Sequence, residues 1–290
     1  MGFSSQDDLI SKITTSGKIW RTDWNKITGA AAYTAGRWYD LSQLNGFPVA
    51  NTYAGTALNA TVASESSGFG LPHNGNVTPD TKHLLNIGAV SAVATAVPGT
   101  LMLVDLLLYY PGINMNVATA QTLVNTNTLT RYTSGAGVRA FLAITATAGA
   151  TAHNISLSYT NQAGTAGRTL PVTVSGTASA IVPHITHAGI AANNYGPFLP
   201  LGSGDTGIRS VQSLQLSAAS GAGTAALVLA KPLTSIPITT ASVYAERDLL
   251  NQLPSMPQVQ DGACLTWIYF PGAATGANTS FFGHVEQGWG

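Results

Sequence analysis

Between Lys82 and Asp205 the chain carries only four charged side chains, Asp105, Arg131, Arg139 and Arg168. Gly, Thr and Val dominate this stretch and no helical period survives in it, so long helices are not expected. What does survive is alternation. Val138, Ala140, Leu142 and Ile144 alternate with Arg139, Phe141, Ala143 and Thr145. Ile155, Leu157 and Tyr159 alternate with Asn154, Ser156 and Ser158; Leu170, Val172 and Val174 share a face, as do Leu214 and Leu216. Period-two segments broken by Gly-rich turns every 8 to 12 residues or so predict short antiparallel strands closing into a sandwich or a barrel. The loop from Asn161 to Gly167 is expected to join two of them as a hairpin.

The scarcity of charge extends to the whole chain. Charged residues make up 8% of the 290, against about 25% in an ordinary soluble domain. Twelve basic residues balance twelve acidic ones, so no long-range field draws the chain to nucleic acid or anionic lipid. Net charge near zero favours association, and Ala, Thr, Ser and Gly lose little side-chain entropy when covered. A hydrophobic content of 45% argues against disorder. The composition therefore points to a folded subunit whose surface is covered in an assembly. Cys264 is the only cysteine, which excludes an internal disulfide framework and a cysteine-based zinc site and suits folding in a reducing cytoplasm. No basic region followed by an apolar core begins the sequence, so no secretory signal is expected. Residues 84–104 are uncharged, but Pro98-Gly99 and Asp105 interrupt the apolar run. Two strands joined at a Pro-Gly turn fit it better than a membrane helix of about 20 residues.

Three regions follow: 1–83, a short helix and an aromatic arm; 84–245, the sandwich; and 246–290, a closing segment. Ser4 and Ser5 can cap a helix whose first turn holds Asp7 and Asp8, with Leu9, Ile10 and Ile13 as its apolar stripe and Gly17 as its stop. Trp20, Trp24, Trp38 and Tyr39 are then interleaved with glycines without a clean period, as in an extended arm. Residues 61–80 read as a polar loop. Glu246 to Leu253 would form a helical turn, and Cys264–Phe270 and Phe281–Trp289, with Gly-Ala-Ala-Thr-Gly between them, a closing hairpin. The tetrapeptide Ser-Gly-Ala-Gly recurs at 134–137 and 220–223.

No set of residues converges on chemistry. His184 and His187 have a metal-ligand spacing, but Pro183 argues for a loop and no Glu lies between them. In Gly202–Gly207, Asp205 has no companion carboxylate for calcium and no Lys-Ser/Thr follows for phosphate, so a surface turn is expected. There is no Gly-x-Ser-x-Gly elbow. Asp105, within the apolar run Leu101–Tyr110, is expected to be a buried carboxylate satisfied by one of the three mid-chain arginines. No catalytic residue, metal ligand or cofactor is assigned, and an enzyme is not expected. Trp20, Arg21, Trp24, Arg37, Trp38 and Tyr39 are the residue types that dominate interface hot spots. They form either a docking segment or packing that folds back on the sandwich.

Several segments together resemble a known group: Ile19 to Leu41, Phe47-Pro-Val-Ala-Asn-Thr-Tyr, Leu106-Leu-Leu-Tyr-Tyr-Pro-Gly-Ile, Arg131-Tyr-Thr-Ser-Gly-Ala-Gly-Val, Ser158 to Thr169, and Cys264-Leu-Thr-Trp-Ile-Tyr-Phe. The chain resembles tailed-bacteriophage virion proteins of the capsid decoration, or cement, type. The resemblance implies an antiparallel β-sandwich of jelly-roll kind, assembled in the host cytoplasm and added to the capsid surface. Its implied partners are the major capsid protein and further copies of itself, as in a homotrimer, with neither nucleic acid nor membrane bound. It brings no site residues with it. Other classes open to such a sequence are a tail or head-fibre component, the major capsid protein, and a carbohydrate-binding module. A chain shortened by residues 1–60 is expected to stay folded and to lose particle binding if the arm docks.

Overall fold

The period-two segments around 139–145, 154–159 and 214–216 are strands, whereas 170–173 is not, leaving Val172 44% exposed beside the buried Val174. All pairings between named strands are antiparallel, and the chain is an all-β sandwich built from three sheets. The computed structural model describes residues 2–29, 31–93, 97–188, 192–251 and 256–290. Sheet I contains β1 (Ile19–Ile27), β3 (Asn45–Phe47), β5 (Lys82–Ser91), β14 (Ala245–Asp248), β15 (Gln258–Val259) and β17 (Ser280–Trp289). Its order is β14-β5-β17-β1-β3, with β15 also on β5. Sheet II contains β2 (Tyr39–Asp40), β4 (Thr61–Val62), β6 (Gly99–Asn114), β8 (Arg139–Ala146), β13 (Thr224–Ile238) and β16 (Cys264–Pro271), ordered β2-β16-β6-β13-β8 with β4 on β6. Sheet III contains β7 (Gln121–Thr122), β9 (His153–Asn161), β10 (Arg168–Thr169), β11 (Val174–Gly176) and β12 (Ile208–Leu216), ordered β10-β9-β12-β7 with β11 on β9.

Sheet II is shared by two sandwiches. Its long strands, β6 of 16 residues and β13 of 15, are bulged near Leu107 and Leu233. A bulge shifts the side-chain parity and sharpens the twist, so one sheet can present its two halves to different partners. On one face Leu101, Leu103, Ile236 and Trp267 pack against Trp24, Ile87 and Val285 of sheet I. Farther along that face Leu108, Tyr110, Leu227 and Leu229 pack against Leu157, Val211 and Leu214 of sheet III. The opposite face, with Val104, Leu106, Phe141, Val228 and Ile268, is covered by Tyr53, Phe69, Ile185 and Ala188 from loops. Burial on both faces is why β8 reads as an unbroken apolar run from Ala140 to Ile144.

Asp105 sits on β6 between the two halves and is fully buried, as expected. Arg131 holds it bidentately, Nε to Oδ2 at 3.0 Å and Nη2 to Oδ1 at 2.8 Å, and the Cys264 N–H donates to Oδ1 at 2.8 Å. Arg131 also donates to the carbonyls of Ala63 and Leu106. Burial raises the Asp105 carboxyl above the ordinary range, while the arginine opposes it. Removing one member of such a pair leaves an uncompensated buried charge. Arg131→Met is therefore expected to cost about 3–5 kcal/mol in urea denaturation; a cost below about 1 kcal/mol would match an exposed pair instead.

The short helix α1 (Gln6–Thr14) forms with Ser5 as its cap, the Asp8 N–H donating to Ser5 Oγ at 3.1 Å. Leu9 is buried and Ile10 is 57% exposed, so the expected stripe narrows to one anchor. The hairpin around Asn161–Gly167 forms, pairing Arg168 with Tyr159. Both Ser-Gly-Ala-Gly segments end in left-handed glycines, Gly135, Gly137, Gly221 and Gly223, immediately before β8 and β13.

Other expectations are corrected. Residues 1–83 are not a separate arm, and the divisions at 83/84 and 245/246 cut through a sheet. In sheet I, β1 and β3 come from the first region, β5 straddles the first two, β14 straddles the last two, and β17 comes from the last. The segments 264–270 and 281–289 do not pair as a hairpin. Instead β16 lies between β6 and β2 in sheet II, and β17 between β5 and β1 in sheet I. Glu246 to Asp248 is strand rather than helical turn, paired with Gly88 to Asn86; Leu253 lies outside the described residues. The apolar stretch around Pro98-Gly99 does hold two strands, as expected, but β5 and β6 belong to different sheets.

Candidate interaction surface

Strand β1 alternates strictly. Thr22, Trp24 and Lys26 point into the molecule, and Arg21, Asp23, Asn25 and Ile27 point outward. The inner row explains why the segment looks irregular in sequence. Lys26 is buried and spends its ammonium on the carbonyls of Leu44 (3.1 Å) and Pro48 (2.6 Å), and burial pulls it down to about 8. Trp24 packs on Trp267 across the core, ring centroids 5.1 Å apart.

The outer row belongs to an uncovered sheet face. Register places Phe47 and Phe282 on either side of Asn25, His284 beside Asp23, and Glu286 beside Arg21. The next strand continues these rows with Val90, Gly88 and Asn86, and β14 adds Glu246 and Asp248. Val90, Gly88 and His284 are themselves buried, with Tyr244 lying over the last two, so the open part of the face is that of β1, β3 and the start of β17. Ile27, Phe47, Phe282 and Tyr244 are each more than 40% exposed. Scattered apolar residues on a surface are ordinary, but aromatic side chains grouped on one sheet face mark a contact site. Helix α1 lies toward one end of the face, where Phe3 occupies the space beside Gly288.

The polar groups between the aromatics are ordered. Arg21 Nε meets Asp23 at 3.1 Å and its Nη1 meets Glu286 at 3.6 Å. Asn86 donates to Glu246 at 2.6 Å, and its Oδ1 lies 3.2 Å from His284 Nε2. Tyr244 stacks on the His284 ring at 6° and hydrogen-bonds its Nδ1. Gly88 permits this stack, since a Cβ there would stand 2.4 Å from the Tyr244 ring. Burial, and then Arg21, lowers the His284 imidazole.

The six residues proposed from sequence do not form one surface. Arg21 lies on this face. Trp20, 40% exposed, is in the inward row but at its open end, where its indole N–H reaches Thr22. Trp24 and Tyr39 are each 2% exposed and are core residues, so neither is available to a partner. Tyr39 stacks on Tyr33 at 4.0 Å. Trp38 is half-buried against Phe270, and Arg37 is half-buried beside it in sequence. Aromatic composition draws attention to the segment; strand parity decides which of its residues face outward. The sequence signal for Phe282 and Tyr244 is weak, because each stands alone until the register brings them to the same face as Phe47.

Two polar clusters resemble sites but are satisfied internally. A cavity of about 280 Å³ is lined by Thr78, Lys82, Arg131, Gln260 and Asp261 among others. Its Lys82 is buried, with Nζ 2.8 Å from His73 Nδ1 and 2.6 Å from the Gly75 carbonyl, and burial lowers it. Asp205, solitary in sequence, is a hub: it accepts from Tyr159 (2.6 Å), Asn161 (2.7 Å) and Arg168 (2.9 Å). The Tyr159 hydroxyl and then Arg168 hold it down at about 2. Among the described residues no group of three or more His, Cys, Asp or Glu could hold a metal ion. His184 and His187 are both buried, His187 Nε2 lying 3.1 Å from the Pro197 carbonyl. No described helix is long and apolar enough to cross a membrane.

No protein-family model matches the chain, and no curated protein matches it. Among solved structures, the VP2 subviral particle of infectious bursal disease virus is 9% identical, over 97% of this chain and 85% of that one, with a TM-score of 0.19. A mutant VP2 of the same virus in T=1 particles is 10% identical, over 97% and 82%, with a TM-score of 0.18. Scores this low do not establish a shared fold.

Proposed function

We propose that the chain is a structural virion protein that binds the outside of a phage capsid and stabilises it by bridging major capsid subunits. The observation that carries this reading is the uncovered, aromatic face of sheet I in a chain whose polar clusters are turned inward on structural partners. A protomer with such a face is incomplete by itself and is completed by assembly. The low charge of the remaining surface supports it, as does the resemblance to capsid decoration proteins carried by the segments quoted above. The mechanism is contact area rather than chemistry. Each subunit adds a modest interface, and many copies on one shell act together through avidity.

The test is the copy number in purified particles, relative to the main shell protein, by quantitative mass spectrometry. A number comparable with the shell protein is expected. A few copies per particle would transfer the protein to a tail or head fibre, and absence from particles would overturn a virion role. A carbohydrate-binding module would use exposed aromatics on the same type of sheet, and glycan-array binding together with absence from particles would favour it.

A further inference from the structure

The balanced charge of the chain conceals a division between its parts. Residues 97–244, which supply all of sheet III and the long strands of sheet II, hold five bases against two acids; the remainder holds seven bases against ten acids. Each surplus is concentrated. On the outer face of sheet I, Asp23, Glu246, Asp248 and Glu286 outnumber Arg21, while Arg247 on β14 turns away to donate to the Ser235 carbonyl. The basic surplus gathers where the turn 134–137, the hairpin 161–168 and the turn 202–207 meet. These loops are joined by the Ala136–Gly207 bridge and by Gln162, whose side chain accepts from the Thr206 N–H. Arg209 lies exposed beside Gly135 and Gly164. Lys231 Nζ reaches the Ala136 carbonyl over the Tyr132 ring, and Arg168 stands on the neighbouring hairpin paired with Asp205, the one acid. Four acids against one base thus stand on one patch, and three bases against one acid on another.

We infer that the acidic aromatic face of sheet I on one copy docks on the basic loop cluster around Arg209 of a second copy. The inference rests on the reading of the chain as an assembly subunit and names the contact between its copies. Charge complementarity selects a second copy as the occupant: each patch carries the opposite surplus of the other, and a chain of zero net charge has no overall repulsion to overcome. The long strands β5, β17 and β1, nine or ten residues each, give a face of roughly 30 by 15 Å, and with the short β3 and β14 at its edges on the order of 500 Å² in plan. That approaches the ~800 Å² per partner of a stable contact. The aromatics Phe47, Phe282 and Tyr244 would supply the anchoring area, and the charges the orientation.

The experiment is sedimentation velocity on the full chain at low and high salt, with paired charge variants. Wild type is expected to sediment above its 29.8 kDa monomer mass at low salt and to dissociate as salt is raised. Asp23→Lys with Glu246→Lys should be monomeric, and so should Arg209→Glu with Lys231→Gln. Mixing these two variants should restore association, because the intact acidic face of one then meets the intact basic cluster of the other. A wild type that stays monomeric up to about 100 µM, weak though such an affinity is, overturns the inference. So does association that both variants retain, or a mixture that stays monomeric. Circular dichroism melts identify a misfolded variant, in which case Asp23→Asn and Arg209→Gln replace it and should each weaken association at least tenfold. Because this is read in solution without particles, it can fail while copy number supports shell binding, and the reverse.

Discussion

A chain lacking residues 1–60 is expected to lose its cooperative fold. Composition alone makes this segment a removable arm, but β1 pairs with β17 over nine residues, Ile19 through Ile27, and carries β3 on its other edge. Deletion would strip the cover from Phe281, Val285 and Trp267, all core residues of the interface between sheets I and II. It would also remove Tyr33, Tyr39, Leu41 and Leu44 from the same core. Loss of Trp24 by itself is worth about 3–5 kcal/mol on the scale of large-to-small core changes. The whole stability of a domain is about 5–15 kcal/mol, so loss of the strand with its neighbours exceeds what the fold can absorb. The measurement is near-ultraviolet circular dichroism and thermal melting of the shortened chain. A sharp melt with native aromatic signals would show that sheet I closes without β1. The milder Trp24→Ala, in the full chain, should fold with a melting transition lowered by several degrees or more.

The same strand shows what can and cannot be read from the sequence. In the middle of β9 the inward Ile155, Leu157 and Tyr159 alternate with polar outward residues, and that alternation reveals the strand directly. The inward row of β1 is Thr22, Trp24 and Lys26, and a buried lysine breaks the apolar pattern although its ammonium is fully used by two carbonyls. Local pattern cannot anticipate a partner that lies about 20 residues away. The misassigned hairpin has a different cause. Both β16 and β17 are recognisable as strands, but Cys264–Tyr269 is buried on both faces, the mark of a strand packed between two layers. Its neighbours β6 and β2 are remote in sequence, so the Gly-rich connection crosses between sheets instead of turning back. Asp105 is legible because a lone acid in an apolar run must find a cation, and few are at hand. The interaction surface is the least legible part. It depends on register across five strands, and its members, among them Ile27, Phe47, Tyr244 and Phe282, are spread over more than 250 residues.

Acid is expected to weaken this fold already between pH 7 and pH 5. His184 and His187 sit behind sheet II, where His184 packs on the Tyr39 ring and Ile185 bridges to Ala143 of β8. Burial lowers both imidazoles from the ordinary 6.5 to about 3, and Arg37 adds to the effect on His184. Above pH 6.5 neither the folded nor the unfolded chain protonates them, so they impose no penalty. Below it the unfolded chain takes up protons that the folded chain refuses, and stability falls with each unit until pH reaches about 3. At about 1.4 kcal/mol per unit for each histidine, the loss at pH 5 is about 2 kcal/mol apiece and about 4 kcal/mol for both. Asp205 acts in another window: held down at about 2, it stabilises above the ordinary carboxylate range and is lost only as pH falls through that low value. Asp40 and Asp105, raised by burial, act in the opposite sense to the histidines. They are common to wild type and to a His184→Gln, His187→Gln variant, so the difference between the two proteins isolates the imidazoles. Urea midpoints should fall from pH 7 to pH 5 in wild type and fall much less in the variant. Equal slopes would show that the imidazoles already titrate in the folded protein. Reduced slopes would mean that mild acid acts first on the segment 183–188, which covers the back of sheet II and holds β2 in place through the Tyr39–His184 bridge.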